Sequence, residues 1–137
     1  MHIGVNNRTK SKIDLSLVKR TAEKFLQFYK KEKFEVSIAF VGDRKMRELN
    51  KIYRKKDRAT DVLAFRGEGR DLGEIIINFA QIKQQAGRFS HNDKQELIFI
   101  LVHGLLHLLG YDDSDEKGRK EMERLGDDFI KKVISNL

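Results

Sequence analysis

The sequence predicts an α+β fold, in which a small mixed sheet of about four strands packs with about five helices around one buried central helix. Three observations carry this. Several segments place apolar residues at helical spacing, and shorter ones alternate apolar and polar residues or run together as β-branched clusters. The third is the stretch Glu96–Leu109, "ELIFILVHGLLHLL", which is apolar on nearly every face, as a helix enclosed by the rest of a domain must be. With 137 residues and 39% hydrophobic content, the chain suits a single domain spanning 1–137.

Near the start, "HIGVNN" adds a short strand. From Asp14, the positions Leu15, Val18, Ala22, Phe25, Leu26 and Tyr29 predict an amphipathic helix ending near Lys31, with Asp14 or Ser16 as N-cap. In "FEVSIAFVG", Val36, Ile38 and Phe40 alternate and predict a strand closed by Gly42. Asp43 can cap the following helix, whose inward stripe is Met46, Leu49 and Tyr53 and which the basic run "RKKDR" interrupts. "TDVLAFRG" and "LGEIIINF" read as two further strands, joined through the turn-forming "GEGRD". "AQIKQQAGRF" predicts a short helix, and the central helix follows it. Asn92 and Gln95 form a capping box at its start, and Gly110 is its stop. A last helix after Ser114 or Asp115 turns Met122, Leu125, Phe129, Val133 and Ile134 inward.

Composition narrows the chemistry. No cysteine is present, so disulfides and thiolate metal sites are excluded and a reducing compartment is expected. Any metal must be held by histidine, carboxylate or water. The opening "MHIGVNNRTKSKIDLS" has no apolar core of a signal peptide, which predicts a cytoplasmic protein. The greasy run Leu97–Leu109 is shorter than the ~18 residues of a membrane span. A formal charge of +7 favours contact with polyanions, although a solvated basic surface is the equally simple reading of charge alone.

The chemistry concentrates in "HGLLHLLGYDD", His103–Asp113. Residues i and i+4 of a helix share a face at about 5–6 Å between Cβ atoms, so His103 and His107 can reach one metal ion together. Gly110 then lets the chain reverse and bring back an acidic residue. Catalytic zinc sites use three histidine or carboxylate ligands and leave a position open for the water to be activated; His103, His107 and Asp113 meet that requirement. The competing reading is a pair of core histidines held by hydrogen bonds, which would leave two imidazoles in a very apolar helix in need of partners. In zinc peptidases of the HExxH type the residue after the first histidine is the general base; here it is Gly104, which weakens a peptidase reading. Glu96, seven residues before His103, is either a distant support for a ligand histidine or an ordinary ion-pairing residue.

Taken together, "HGLLHLLGYDD", "LNKIYRKKDRATDVLAF" and "LGEIIIN" resemble the YbeY family of bacterial metal-dependent endoribonucleases, over about Leu49 to Glu116 and in the family's order. The resemblance implies an α+β domain with a catalytic zinc held by an HxxxHxxxxxH motif. It also implies single-strand-specific cleavage in ribosomal RNA maturation, at the 3′ end of the small-subunit RNA, with a role in ribosome quality control. RNA is then the substrate, and ribosome-associated proteins are the expected partners. His103 and His107 match the first two ligands, and the third falls at Asp113, where the family has histidine. An aspartate is shorter and adds negative charge, so the metal should be less Lewis-acidic, or Asp112 or the more distant Asp115 ligates instead. Arg54 matches the family's arginine and is expected to bind the scissile phosphate or stabilise developing charge; read alone, it suits a solvated helix end equally well. Arg54, Lys55, Lys56 and Arg58 would then contact RNA. Catalysis is assigned to Arg54, His103 and His107, with metal-bound water or a metal-assisted 2′-hydroxyl as nucleophile. Thr60 and Asp61 read as turn and strand-start residues, and His2 and His91 are assigned no role. The alternatives are a zinc metallopeptidase and a non-catalytic, ribosome-associated RNA-binding factor.

Overall fold

The fold follows from where the apolar runs can be covered. In the computed structural model, residues 2–88 and 92–134 are described. Four strands form one sheet: β1 (His2–Asn7), β2 (Glu35–Val41), β3 (Val62–Arg66) and β4 (Asp71–Asn78), in the spatial order β1-β2-β4-β3. β1, β2 and β4 run parallel, and β3 returns antiparallel beside β4. The two inner strands carry buried residues on both faces, among them Ile38, Ala39, Phe40, Ile75, Ile76 and Ile77. That is the pattern a sheet covered on both sides imposes. β3 is left as an edge.

Five helices provide the cover: α1 (Leu15–Phe28), α2 (Asp43–Arg54), α3 (Phe79–Arg88), α4 (Asp93–Leu108) and α5 (Glu116–Phe129), the last running into a π-helical turn, Ile130–Ile134. α4 touches α1, α3, α5, β3 and β4, so it is the enclosed central helix that its composition requires. Its first turn is closed by the Asn92–Gln95 capping box. α2 lies on the other face of the sheet, where Val41, Met46, Leu63 and Ile76 form a smaller core with Leu49 and Phe65.

Three expectations need correction. α1 stops at Phe28, because Lys30 takes a left-handed conformation (φ 57°) that turns the chain toward β2. Asp43 is the first residue of α2 and Gly42 is the cap; the Asp43 carboxylate instead accepts a hydrogen bond from the buried Asn78 amide at the end of β4. Tyr53 continues the inward stripe of α2 but is 60% exposed. It packs in a T-shaped pair with Phe65 of the edge strand, and among the described residues no further strand lies beyond that edge to cover it.

Gly73 has φ +142°, opposite a register irregularity between Glu35 and Val36 on β2. A Cβ there would overlap the Phe65 carbonyl oxygen. Gly73→Ala is therefore expected to destabilise the fold by about 2–4 kcal/mol, from a strained φ added to a backbone clash. Chemical denaturation of the two proteins would measure this.

Candidate metal centre

The site is assembled by one helix and the loop after it. His103 and His107 lie one turn apart on α4, with rings 4.8 Å apart at 84° and side chains 21% and 27% exposed. Gly110, at φ +104°, ends the helix and reverses the chain. The reversal places the Tyr111 carbonyl 3.1 Å from His107 Nδ1. A proton on Nδ1 that donates to this carbonyl leaves the Nε2 lone pair facing the site, the usual arrangement behind a metal-binding imidazole.

The same reversal delivers Asp113. Its Oδ2 is 3.1 Å from His103 Nε2, its Oδ1 is 3.6 Å from His107 Nε2, and the two Nε2 atoms are 3.2 Å apart. His103, His107 and Asp113 thus offer three ligand atoms within 4.8 Å of one another. Two nitrogen ligands on a tetrahedral zinc at 2.0–2.1 Å would be separated by about 3.3 Å, so the donor set fits such an ion. Burial pushes the His103 imidazole pKa below its ordinary value, and neighbouring His107 adds to that, against the opposing pull of Asp113. Neutral imidazole is the form that binds metal.

Two other acids compete on paper and not in space. The Asp112 carboxylate accepts hydrogen bonds from the Ser114 amide (3.0 Å) and hydroxyl (2.8 Å), which hold its pKa below the usual carboxylate range. Asp115 caps α5 by accepting from the Gly118 amide at 2.7 Å. Both shape the loop, and Asp113 is the acid that meets the histidines. Gly104 packs against Ile75 and Val62 of the sheet, so a glutamate at that position would run into the core rather than the site.

These donors line a cleft of about 460 Å³. Val62, Leu63 and Ala64 contribute from the edge strand, Arg54, Lys56 and Arg58 from the end of α2 and the loop after it, and Phe99 from α4 one turn before His103. The Arg54 guanidinium donates to the Ala64 carbonyl at 3.4 Å and is exposed. Buried Asn50 donates to the Arg58 carbonyl (2.9 Å), and Arg47 pairs with Asp57 at 2.7 Å, so the basic loop is tied down at two points. Lys55 is not brought to the cleft; it takes the left-handed position (φ 57°) that ends α2.

Thr60 and Asp61 lead into β3, just before its first residue Val62. The Asp61 carbonyl accepts from the Asn78 amide and its carboxylate from Gln85. Asp61 also lines the cleft, and its charge opposes the lowering of the His103 pKa. Sequence reasoning missed Asn50, Phe99, Arg119 and Glu123 as cleft residues. For the last two a partial signal existed: they are four apart on one face of a helix whose cap follows Asp113 by two residues, which keeps the start of that helix near the donors. His2 lies in β1, outside the cleft, and His91 is outside the described residues. Among the described residues, no helix is long and apolar enough to cross a membrane.

Comparison with known proteins points one way. The family model of endoribonuclease YbeY matches residues 4–134. Relatives named endoribonuclease YbeY include one from Bacillus cereus, 41% identical over 79% of this chain and 79% of its own length. Another, from Halalkalibacterium halodurans, is 38% identical over 71% of this chain and 70% of its own. Among solved structures, the solution structure of TM1509 from Thermotoga maritima matches with a TM-score of 0.65 at 27% identity, covering 98% of this chain and 93% of that one.

Proposed function

The chain belongs to the endoribonuclease YbeY family, and from that premise we propose that it is a zinc-dependent enzyme cutting single-stranded ribosomal RNA, at the 3′ end of the small-subunit RNA. Residues 1–137 act as one domain, in the cytoplasm, where ribosome-associated proteins bring it to its target. One observation carries the reading: His103, His107 and Asp113 converge within a cleft that Arg54, Lys56 and Arg58 also line.

His103, His107 and Asp113 would hold the ion. When bound, it would supply positive charge that polarises a phosphoryl oxygen and favours loss of a proton from the attacking group, water or a 2′-hydroxyl. Arg54, anchored to the edge strand through the Ala64 carbonyl, offers its remaining donors to the non-bridging oxygens of the scissile phosphate. Lys56 and Arg58 bind flanking phosphates along the same wall. Lys55 serves the RNA only outside the cleft, as a cation at the end of α2.

The test is cleavage of a single-stranded RNA carrying the ribosomal 3′ sequence, compared with its duplex, with and without chelator. The expected result is cutting of the single strand that stops on chelation and returns with zinc. Cutting that survives both chelation and loss of His107 would belong to something other than this site.

Asp113 offers a second check. Because its loop position already suits a ligand, Asp113→His is expected to keep a bound ion, whereas Asp113→Ala should weaken binding by more than about a hundredfold, beyond the loss of a mere supporting partner. Titration of the apoprotein with zinc would read both.

A further inference from the structure

We infer that the exposed ring of Tyr53, seated edge-on against Phe65, is a stacking platform for one base of the RNA whose backbone occupies the cleft. This rests on the proposed function and adds a subsite to it. Large exposed apolar side chains are few among the described residues: Phe28, Ile52 and Tyr53. Phe28 is engaged with Tyr29 and Phe129 at the end of α1. Ile52 and Tyr53 are adjacent on α2, 67% and 60% exposed, and Tyr53 directly precedes Arg54.

The position relative to the cleft is what gives the ring a use. Arg54 bonds the Ala64 carbonyl on the edge strand, Ala64 lines the cleft, and the next residue, Phe65, is the one Tyr53 packs on. Ring centroids are 5.1 Å apart at 64°, so Phe65 is a backstop that fixes the orientation of Tyr53. A strand whose phosphate is held at Arg54 therefore has an aromatic ring within a residue's reach, already oriented and still largely open to solvent.

Charge selects RNA over a protein as the occupant. From Lys51 to Arg58 the chain carries five cations, Lys51, Arg54, Lys55, Lys56 and Arg58, against the single acid Asp57, which Arg47 already neutralises. An aromatic ring set among backbone-binding cations is the arrangement by which single strands are held without sequence readout. A protein partner matching this face would have to be acidic and apolar together.

The experiment uses the full chain, a fluorescent single-stranded RNA and the variants Tyr53→Leu and Tyr53→Phe. Leucine keeps apolar bulk over Phe65 while removing the π-face, and thermal melts verify folding. Tyr53→Leu is expected to weaken RNA binding about tenfold, while Tyr53→Phe stays close to the parent protein. The loss should fall in Kd and KM, with kcat at saturating RNA little changed. An abasic nucleotide moved along the RNA should weaken the parent protein at one position and leave Tyr53→Leu indifferent there. Equal binding by the leucine variant, or equal abasic penalties in both proteins, would overturn the platform while cleavage by the parent protein leaves the proposed function standing. Failure of the parent protein to bind or cut RNA would remove both. Loss of a protein contact by Tyr53→Leu with RNA binding intact would assign the face to a protein and overturn the stacking role.

Discussion

His107→Ala is expected to abolish RNA cleavage and to weaken zinc binding by more than a hundredfold, the upper range for losing only a supporting partner of a ligand. The imidazole carries two tasks at once. Its Nε2 stands 3.2 Å from that of His103, and its Nδ1 faces the Tyr111 carbonyl, so the truncation removes a donor and also loosens the loop that presents Asp113. Folding should survive, since the side chain is 27% exposed and opens onto the cleft. Zinc titration, RNA cleavage and a thermal melt on the same preparation would separate these effects. A variant that still binds zinc tightly and cuts at the parent rate would refute the three-donor site.

Arg54→Ala should lower kcat by about 10²–10³, the cost typical of removing one preorganised donor from developing charge. Zinc affinity should not change, because the guanidinium bonds the Ala64 carbonyl and not a metal donor. Arg54→Lys should recover only part of the loss, since an ammonium keeps the charge without the planar fork. The contrast with His107→Ala is the informative part: one variant loses metal and activity together, the other loses activity alone. A fall in metal binding by Arg54→Ala would mean that the arginine supports the loop rather than the reaction.

Both expectations depend on features that differ in how legible they were. The capping box at Asn92, the stop at Gly110 and the i, i+4 histidine pair were readable because each is set by neighbours within a turn. The acid was legible only through the family spacing, which pointed to Asp113 and left Asp112 and Asp115 as alternatives. Asp112, Asp113 and Asp115 share one charge and fall within four positions, and what separates them is which backbone amides and hydroxyls the folded loop offers. The family spacing favoured Asp113, and the loop geometry gives the other two acids different work.

The exposed ring of Tyr53 shows the opposite case. Its helical phase is inward, and pattern alone assigns it to a core. Whether an inward-facing residue is covered depends on how far the opposing sheet extends, and β3 is its last strand. Arg119 and Glu123 reach the cleft for a related reason: the direction in which α5 leaves the loop is decided by packing on α4, many residues away.

By itself the sequence determined the α+β class, the central helix, the paired histidines and the basic loop, because periodicity, caps and charge runs are local properties of the chain. Only the tertiary structure decided which aspartate joins the histidines, that Lys55 stands aside while Lys56 and Arg58 line the cleft, and that Tyr53 remains open. Each of those depends on contacts between segments distant in sequence, and no local preference encodes where two such segments meet.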